Sequence, residues 1–137
     1  MHLILMDKEF DKDHIINHWI ESSDKDFKTM IDLYQTKNNN WALFMGSLVI
    51  EKLLKALHVK SKSEFPPMTH DLRRICEKAN IKLELPQQVL LDSISRFNIK
   101  ARYDDYKQSF YQLCTDSFTE EWITKIKDCR LWIKTML

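Results

Sequence analysis

Apolar side chains in the first third of the chain recur at intervals of three and four residues. This spacing is typical of an amphipathic helix, and it predicts a first helix over residues 11–37. Its apolar positions are Ile15, Ile16, Trp19, Ile20, Phe27, Met30, Ile31 and Tyr34. A polar run at residues 38–40 breaks the pattern, and residues 41–59 are then apolar on nearly every side. A helix of that kind belongs in the centre of a fold.

A loop is predicted next, because Pro66 and Pro67 interrupt the helical pattern. Thr69 can cap a third helix, and Asp71 suits the first turn of that helix. Pro86 suits the first position of a fourth helix. Both helices repeat apolar residues along one face, as expected for elements that pack against the central helix.

The C-terminal third is less regular. Residues 98–105 are predicted to be a helix boundary, and residues 108–114 are ambiguous between helix and loop. Thr119 begins a last helix with an apolar seam of Trp122, Ile126, Cys129, Ile133 and Met136. The whole pattern predicts an all-α protein, an antiparallel bundle of four to five helices with the second helix surrounded by the others.

Length and composition narrow the possible functions. The 137 residues suffice for one hydrophobic core, so we expect a single domain over residues 11–137 and an N-terminal extension over residues 1–10. Gly46 is the only glycine. Walker loops, dinucleotide-binding fingerprints and nucleophile elbows each need two or three glycines and are therefore excluded. A bound nucleotide would have to be held by side chains.

The charge is nearly balanced overall but unevenly distributed. The net charge is +1, yet residues 1–32 carry 4 basic and 8 acidic side chains, whereas residues 50–102 carry 11 basic and 6 acidic ones. The three cysteines form no C-x-x-C pair, and their odd number does not suit a disulfide framework. No apolar run is long enough to span a membrane. We therefore expect a cytoplasmic protein with reduced thiols and no membrane association.

Asp11, His14, His18 and Glu21 share the polar side of the first helix. A metal ion could lie there, but one helix supplies only two adjacent ligands and zinc needs three or four converging ones. A solvated helix face is therefore the preferred interpretation, and no metal or other cofactor is expected.

A narrow polar strip marks the otherwise apolar second helix. Ser47, Glu51, Lys55 and His58 form it, and Glu51 and Lys55 are spaced for an ion pair. A polar strip on a buried helix must meet polar partners or a solvent-filled groove. Both a structural network and a ligand groove are compatible with this pattern.

Cations and tyrosines are concentrated in residues 96–106. Guanidinium groups match phosphate oxygens, and tyrosine rings stack on bases, so the run suits phosphate recognition. The same cations could instead neutralise a helix C-terminus. His70 is a further candidate, as a general base, but its neighbour Asp71 points about 100° away on a helix and would orient it poorly.

Three short motifs follow one another along the chain: EKLLKAL at residues 51–57, THDL at residues 69–72 and ARYD at residues 101–104. With this order and spacing, the chain from about Trp19 to its C-terminus resembles the HEPN family of small helical proteins. The resemblance implies an antiparallel bundle of four or five helices that usually dimerises. It also implies a frequent association with a minimal nucleotidyltransferase in bacterial and archaeal two-gene modules.

Some HEPN proteins cleave RNA without a metal ion, using an arginine followed after four to six residues by a histidine. Arg96 can be that arginine, but Ala101, Arg102 and Tyr103 occupy the positions where the histidine is expected. Arginine stays protonated near neutral pH and is a poor general base. In some family members the partner adds AMP to a tyrosine next to that histidine, and Tyr103 and Tyr106 lie in the corresponding stretch.

We therefore expect a non-catalytic HEPN-like domain, dimeric, that binds a nucleotide or RNA as the accessory partner of a nucleotidyltransferase in a toxin–antitoxin type module. The expected ligand-binding residues are Arg96, Lys100, Arg102, Tyr103, Glu51, Lys55 and His70. A first alternative is a divergent metal-independent ribonuclease toxin with Arg96 and His70 as catalytic candidates. A second alternative is a structural interaction protein in which Leu3–Met6 contributes to a dimer interface.

Overall fold

The computed structural model describes residues 10–137, except for the side chain of Asp104. Within that range the regular structure is helical throughout, which confirms the all-α class. The helices are α1 (Lys12–Gln35), α2 (Asn39–Lys62), α3 (Leu72–Lys78), α4 (Leu85–Arg102), α5 (Asp104–Leu113) and α6 (Asp116–Met136). The expected N-terminal extension, with its apolar residues Leu3–Met6, lies outside the described residues apart from Phe10.

The first two helices form an antiparallel hairpin. Lys12 Nζ, at the start of α1, donates a hydrogen bond of 2.9 Å to Ser63 Oγ, just beyond the end of α2. Halfway along, Ser23 Oγ donates to the Val49 carbonyl oxygen at 2.8 Å. Lys37 makes the turn between the helices with a left-handed φ of 62°. The hairpin fixes the central helix against α1 along its whole length.

Helix α2 lies in the centre of the bundle, as its apolar pattern predicts. It contacts all five other helices, and most of its residues from Ala42 to Val59 are buried. Gly46 lies on α2 where there is no room for a side chain. A Cβ atom at this position would lie 2.6 Å from Ile126 Cδ1 and 3.2 Å from Met30 Sδ. A glycine here therefore lets α2 pack tightly against α6.

The last helix runs parallel to α2. At one end, Asn39 Nδ2 donates to Asp116 Oδ1 at 2.9 Å, and at the other, Lys60 Nζ donates to the Met136 carbonyl oxygen at 3.0 Å. Helix α4 runs the opposite way, since Phe97 near its end packs on Trp122 of α6 with ring centroids 5.0 Å apart. Both α1 and α4 are thus antiparallel to α2 and α6.

Helices α3 and α4 close one side of the bundle. The Leu72 backbone N–H donates to Ser95 Oγ at 3.0 Å, and Arg73 Nη2 donates to Asp92 Oδ2 at 2.8 Å. These contacts hold the start of α3, and the loop before it, beside the second half of α4.

Two predicted helix starts differ from the structure. Asp71 caps α3 instead of Thr69, because the extended Asp71 accepts the Arg74 backbone N–H at 3.3 Å, while Thr69 Oγ1 accepts the N–H of Asp71 itself. The last helix begins at Asp116 instead of Thr119, because Thr115 accepts the Phe118 N–H. In both cases another polar residue nearby has the better capping geometry.

The predicted boundary at residues 98–105 is mostly helical. Helix α4 continues to Arg102, and Tyr103, in an extended conformation, separates it from α5. Asn98 is buried and accepts a hydrogen bond of 2.6 Å on its Oδ1 from Arg102 Nη2, one turn later. That bond satisfies the buried amide oxygen, so the polar residue does not end the helix. Of the ambiguous residues 108–114, all but Cys114 belong to α5, and Cys114 is the C-cap of that helix.

Candidate functional site

The polar strip of α2 holds a buried ion pair that is extended by a histidine from another segment. Glu51 Oε2 accepts a hydrogen bond from Lys55 Nζ at 3.1 Å, and both residues are buried. Glu51 Oε1 lies 2.7 Å from His70 Nδ1. One carboxylate thus joins Lys55, on its own helix, to His70, on the loop before α3.

The contact with Glu51 determines which nitrogen of the His70 ring carries the hydrogen. A carboxylate only accepts hydrogen bonds, so Nδ1 is the donor in this pair. In a neutral imidazole the other nitrogen, Nε2, is then an acceptor. The Glu51 carboxylate therefore orients the ring and leaves Nε2 available for other hydrogen-bond partners.

His70 lies at the edge of a groove between the loop and α4, which we call the arginine groove. Its volume is about 440 Å³. The lining residues are Thr69, His70, Asp71, Asp92, Ser95, Arg96, Ile99, Arg102 and Tyr103. Cationic, aromatic and hydroxyl groups thus converge in a space large enough for a small ligand.

The two arginines of the groove are held differently. Arg102 is fixed, because its Nη2 and Nε donate to the side chain and the carbonyl oxygen of Asn98, and its guanidinium lies 5.3 Å from the Tyr103 ring centroid. Arg96 is exposed and donates one hydrogen bond, to Ser93 Oγ at 3.1 Å. One arginine is therefore preorganised and the other is free to adapt to a ligand.

The acidic residues of the groove already have partners. Asp92 pairs with Arg73 at 2.8 Å, and the Asp71 carboxylate caps α3. Neither carboxylate forms an ion pair with Arg96 or Arg102, so both guanidinium groups remain available to an anion.

The expected binding residues do not all line this groove. His70, Arg96, Arg102 and Tyr103 do, whereas Glu51 contacts it only through His70. Lys55 lines a neighbouring apolar pocket. Two residues stand apart from both: Lys100, half-buried with its charge near Cys114, and Tyr106, exposed on α5.

Several residues that position the site could hardly be identified from the sequence alone. Asn98 fixes Arg102, Ser95 binds the start of α3, and Trp19 lies beside Lys55. Asn98 and Ser95 are polar residues within an amphipathic helix. Polar residues at solvated positions of such a helix are common, so the sequence does not distinguish these two. The position of Trp19 depends on how α1 packs on α2, and no local pattern encodes it.

Metal and thiol chemistry find little support in the part of the chain that the structure describes. No group of three or more His, Cys, Asp or Glu side chains there could hold a metal ion. His14 and His18 are exposed, and the Asp11 carboxylate caps α1 by accepting the His14 backbone N–H. Burial raises the pKa of the Cys76, Cys114 and Cys129 thiols to about 12. At neutral pH these thiols are therefore protonated and poor nucleophiles.

A model of the HEPN domain family matches residues 16–136, which is nearly the whole chain. The chain therefore belongs to the HEPN family, and this membership supports a nucleotide- or RNA-related function. Comparison with curated proteins gave no match, nor did comparison with solved structures. Among the described helices, none is both long and apolar enough to cross a membrane.

Proposed function

We propose that this HEPN domain binds the phosphate groups of a nucleotide or of RNA in the arginine groove. The observation that carries the proposal is the convergence of Arg96 and Arg102 beside the exposed Tyr103. One guanidinium group can donate two parallel hydrogen bonds to two phosphate oxygens, and a tyrosine ring can stack on a base.

The binding test compares the wild type with the double variant Arg96→Ala, Arg102→Ala. Labelled RNA and AMP are titrated separately, and circular dichroism verifies the fold. Because each lost charged hydrogen bond weakens binding by about 1.5–3 kcal/mol, the double variant should bind at least about a hundredfold more weakly. Arg74→Ala is the matched control, since Arg74 is exposed on α3 outside the groove. Equal affinities in the double variant and the control would refute the proposal.

The same domain is proposed to act as the accessory, homodimeric partner of a nucleotidyltransferase in a cytoplasmic toxin–antitoxin module. Tyr103 and Tyr106 support this role, because both are exposed and could accept an AMP group. Incubation with such an enzyme and labelled ATP should label the wild type, and Tyr103→Phe and Tyr106→Phe identify the site. Light scattering measures the oligomeric state. A monomeric protein that is never labelled would contradict both the homodimer and the transfer of AMP to a tyrosine.

A second candidate function is metal-independent RNA cleavage. It is favoured by one contact, the 2.7 Å hydrogen bond through which Glu51 orients His70 at the edge of the arginine groove. An oriented imidazole could take the proton of the ribose 2′-hydroxyl, whose oxygen then bonds to the phosphorus and displaces the 5′-oxygen of the next nucleotide. That leaving oxygen takes a proton from water, while Arg96 stabilises the charge on the phosphate. Labelled RNA incubated in EDTA distinguishes the candidates. Cleavage that both His70→Gln and Arg96→Ala abolish would establish a ribonuclease, and intact RNA would exclude it.

A further inference from the structure

A second pocket adjoins the arginine groove on the other side of His70, and we call it the loop pocket. Its volume is about 560 Å³. The lining residues are Trp19, Lys55, Phe65, Pro66, Pro67, Met68, Thr69 and His70. Thr69 and His70 line the arginine groove as well, so the two spaces share a wall and one ligand could reach both.

The walls of the loop pocket are mainly apolar, and two of its apolar side chains are largely exposed to solvent. Phe65 is 63% exposed and Met68 is fully exposed. Pro66 and Pro67 restrict the backbone between them, which limits the freedom of this loop. Exposed aromatic and thioether groups on a stiff loop offer a flat ring a preformed surface to contact.

The base of the loop pocket carries one buried cation. Lys55 is only 8% exposed, and its Nζ lies 5.4 Å from the Trp19 ring centroid. An ammonium group has three N–H donors. Within residues 10–137 the structure gives it one hydrogen-bond acceptor, the Glu51 carboxylate at 3.1 Å. Donor capacity therefore remains for a polar atom of a ligand bound among the apolar walls.

We propose that the loop pocket binds the base of a free mononucleotide whose phosphate lies on Arg96 and Arg102. This inference rests on the proposed phosphate-binding function and names its ligand. A nucleotide has the same two-part chemistry as the site: an anionic group for the arginines, and a flat ring with acceptor atoms for Phe65, Met68 and Lys55. His70, shared by the two spaces, lies between the phosphate and the base.

The test measures the affinity of the full chain for three probes by calorimetry. Ribose 5-phosphate lacks the base, adenosine lacks the phosphate, and AMP has both. AMP should bind the wild type at least about fivefold more tightly than ribose 5-phosphate, because stacking of one base contributes about 1 kcal/mol or more. The double variant Phe65→Ala, Met68→Ala should lose that advantage and still bind ribose 5-phosphate normally. Both residues are exposed, so the variant keeps its core.

Leu131→Ala is the matched control, since Leu131 is 58% exposed on α6 and lines neither space. It should bind all three probes as the wild type does. The variant Arg96→Ala, Arg102→Ala should weaken AMP and ribose 5-phosphate alike. Together the two double variants separate the base contribution from the phosphate contribution.

Each contrary result has its own meaning. If AMP and ribose 5-phosphate bind equally, and the Phe65→Ala, Met68→Ala variant changes neither, this inference is overturned while phosphate binding stands. If only RNA binds, and the arginine variant abolishes that binding, the free mononucleotide is overturned and the proposed function survives. If neither AMP nor RNA binds, both proposals fail.

Discussion

Two histidines of this protein each lie beside a glutamate, with the burial of the partners reversed. His70 is 57% exposed and its partner Glu51 is 6% exposed, with 2.7 Å between Nδ1 and Oε1. His58 is 2% exposed and its partner Glu64 is 67% exposed, with 3.8 Å between Nε2 and Oε1. A buried carboxylate is fixed and holds its partner closely, whereas an exposed one is screened by water.

The reversal also separates the roles of the two rings. Burial lowers the pKa of His58, and the positive charges of Lys62 and Lys78 act in the same direction, against the opposing effect of Glu64. His58 Nδ1 is buried without a hydrogen-bond partner in the described structure. His58 is therefore a neutral part of the core, whereas His70 presents an oriented ring to a groove.

The largest effect should come from removing the carboxylate that anchors His70. Glu51→Ala leaves the Lys55 charge buried without its partner, and we expect a loss of about 3 kcal/mol in the free energy of unfolding. The double variant Glu51→Met, Lys55→Met should recover most of it, because apolar side chains can replace a buried ion pair. Urea denaturation followed by circular dichroism measures both. Equal losses in the two variants would show that the pair itself is not responsible.

The next largest effect should come from replacing each histidine with alanine, because the two variants should differ in stability. His58→Ala opens space in the core, and we expect a loss of about 2 kcal/mol in stability. His70→Ala removes an exposed ring but also takes the hydrogen-bond partner from the buried Oε1 of Glu51, so we expect a smaller loss of about 1 kcal/mol, together with weaker ligand binding. Thermal unfolding and AMP titration of both variants test this. The comparison breaks down if His70→Ala is the less stable of the two.

A smaller effect is expected at the residue that follows His70. Asp71 caps α3 through the Arg74 N–H, and Asp71→Ala should reduce stability by about 1 kcal/mol. Asp71→Asn keeps a capping oxygen and serves as the control, with little change expected. Urea denaturation distinguishes them. Similar losses in both variants would point to the charge of Asp71 and away from its cap.

The smallest effect should be a dependence of stability on pH. Because the pKa of His58 is lowered from its ordinary 6.5 in the folded state, the unfolded chain binds more protons as the pH falls below that value, and stability decreases. Denaturation at about pH 7.5 and about pH 5.5 should show a larger decrease for the wild type than for His58→Gln, which does not titrate there. Identical decreases would exclude His58 as the source.

The sequence predicts much of the fold because its dominant features are local. The all-round apolar character of residues 41–59 places α2 in the centre, and the spacing of Glu51 and Lys55 predicts their ion pair. The site depends on contacts between distant segments. His70 takes its partner from Glu51, nineteen positions earlier, and not from its neighbour Asp71.

A polar residue inside a helix can hide that helix from a reading of the sequence. Asn98 suggests a helix end, since an asparagine competes with the helix backbone for hydrogen bonds. In the structure, Arg102 satisfies its amide oxygen and the helix continues. The same bond fixes Arg102 in the groove, so the sequence misses one helix boundary and one positioning residue for the same reason.

The three buried cysteines provide built-in reporters of local opening. Because burial raises their pKa values to about 12, a thiol reagent at neutral pH should modify them slowly, and faster when a part of the bundle separates and admits water. Cys76 lies on α3, Cys114 between α5 and α6, and Cys129 on α6. Their separate labelling rates would show which side of the bundle opens most readily, without an engineered probe.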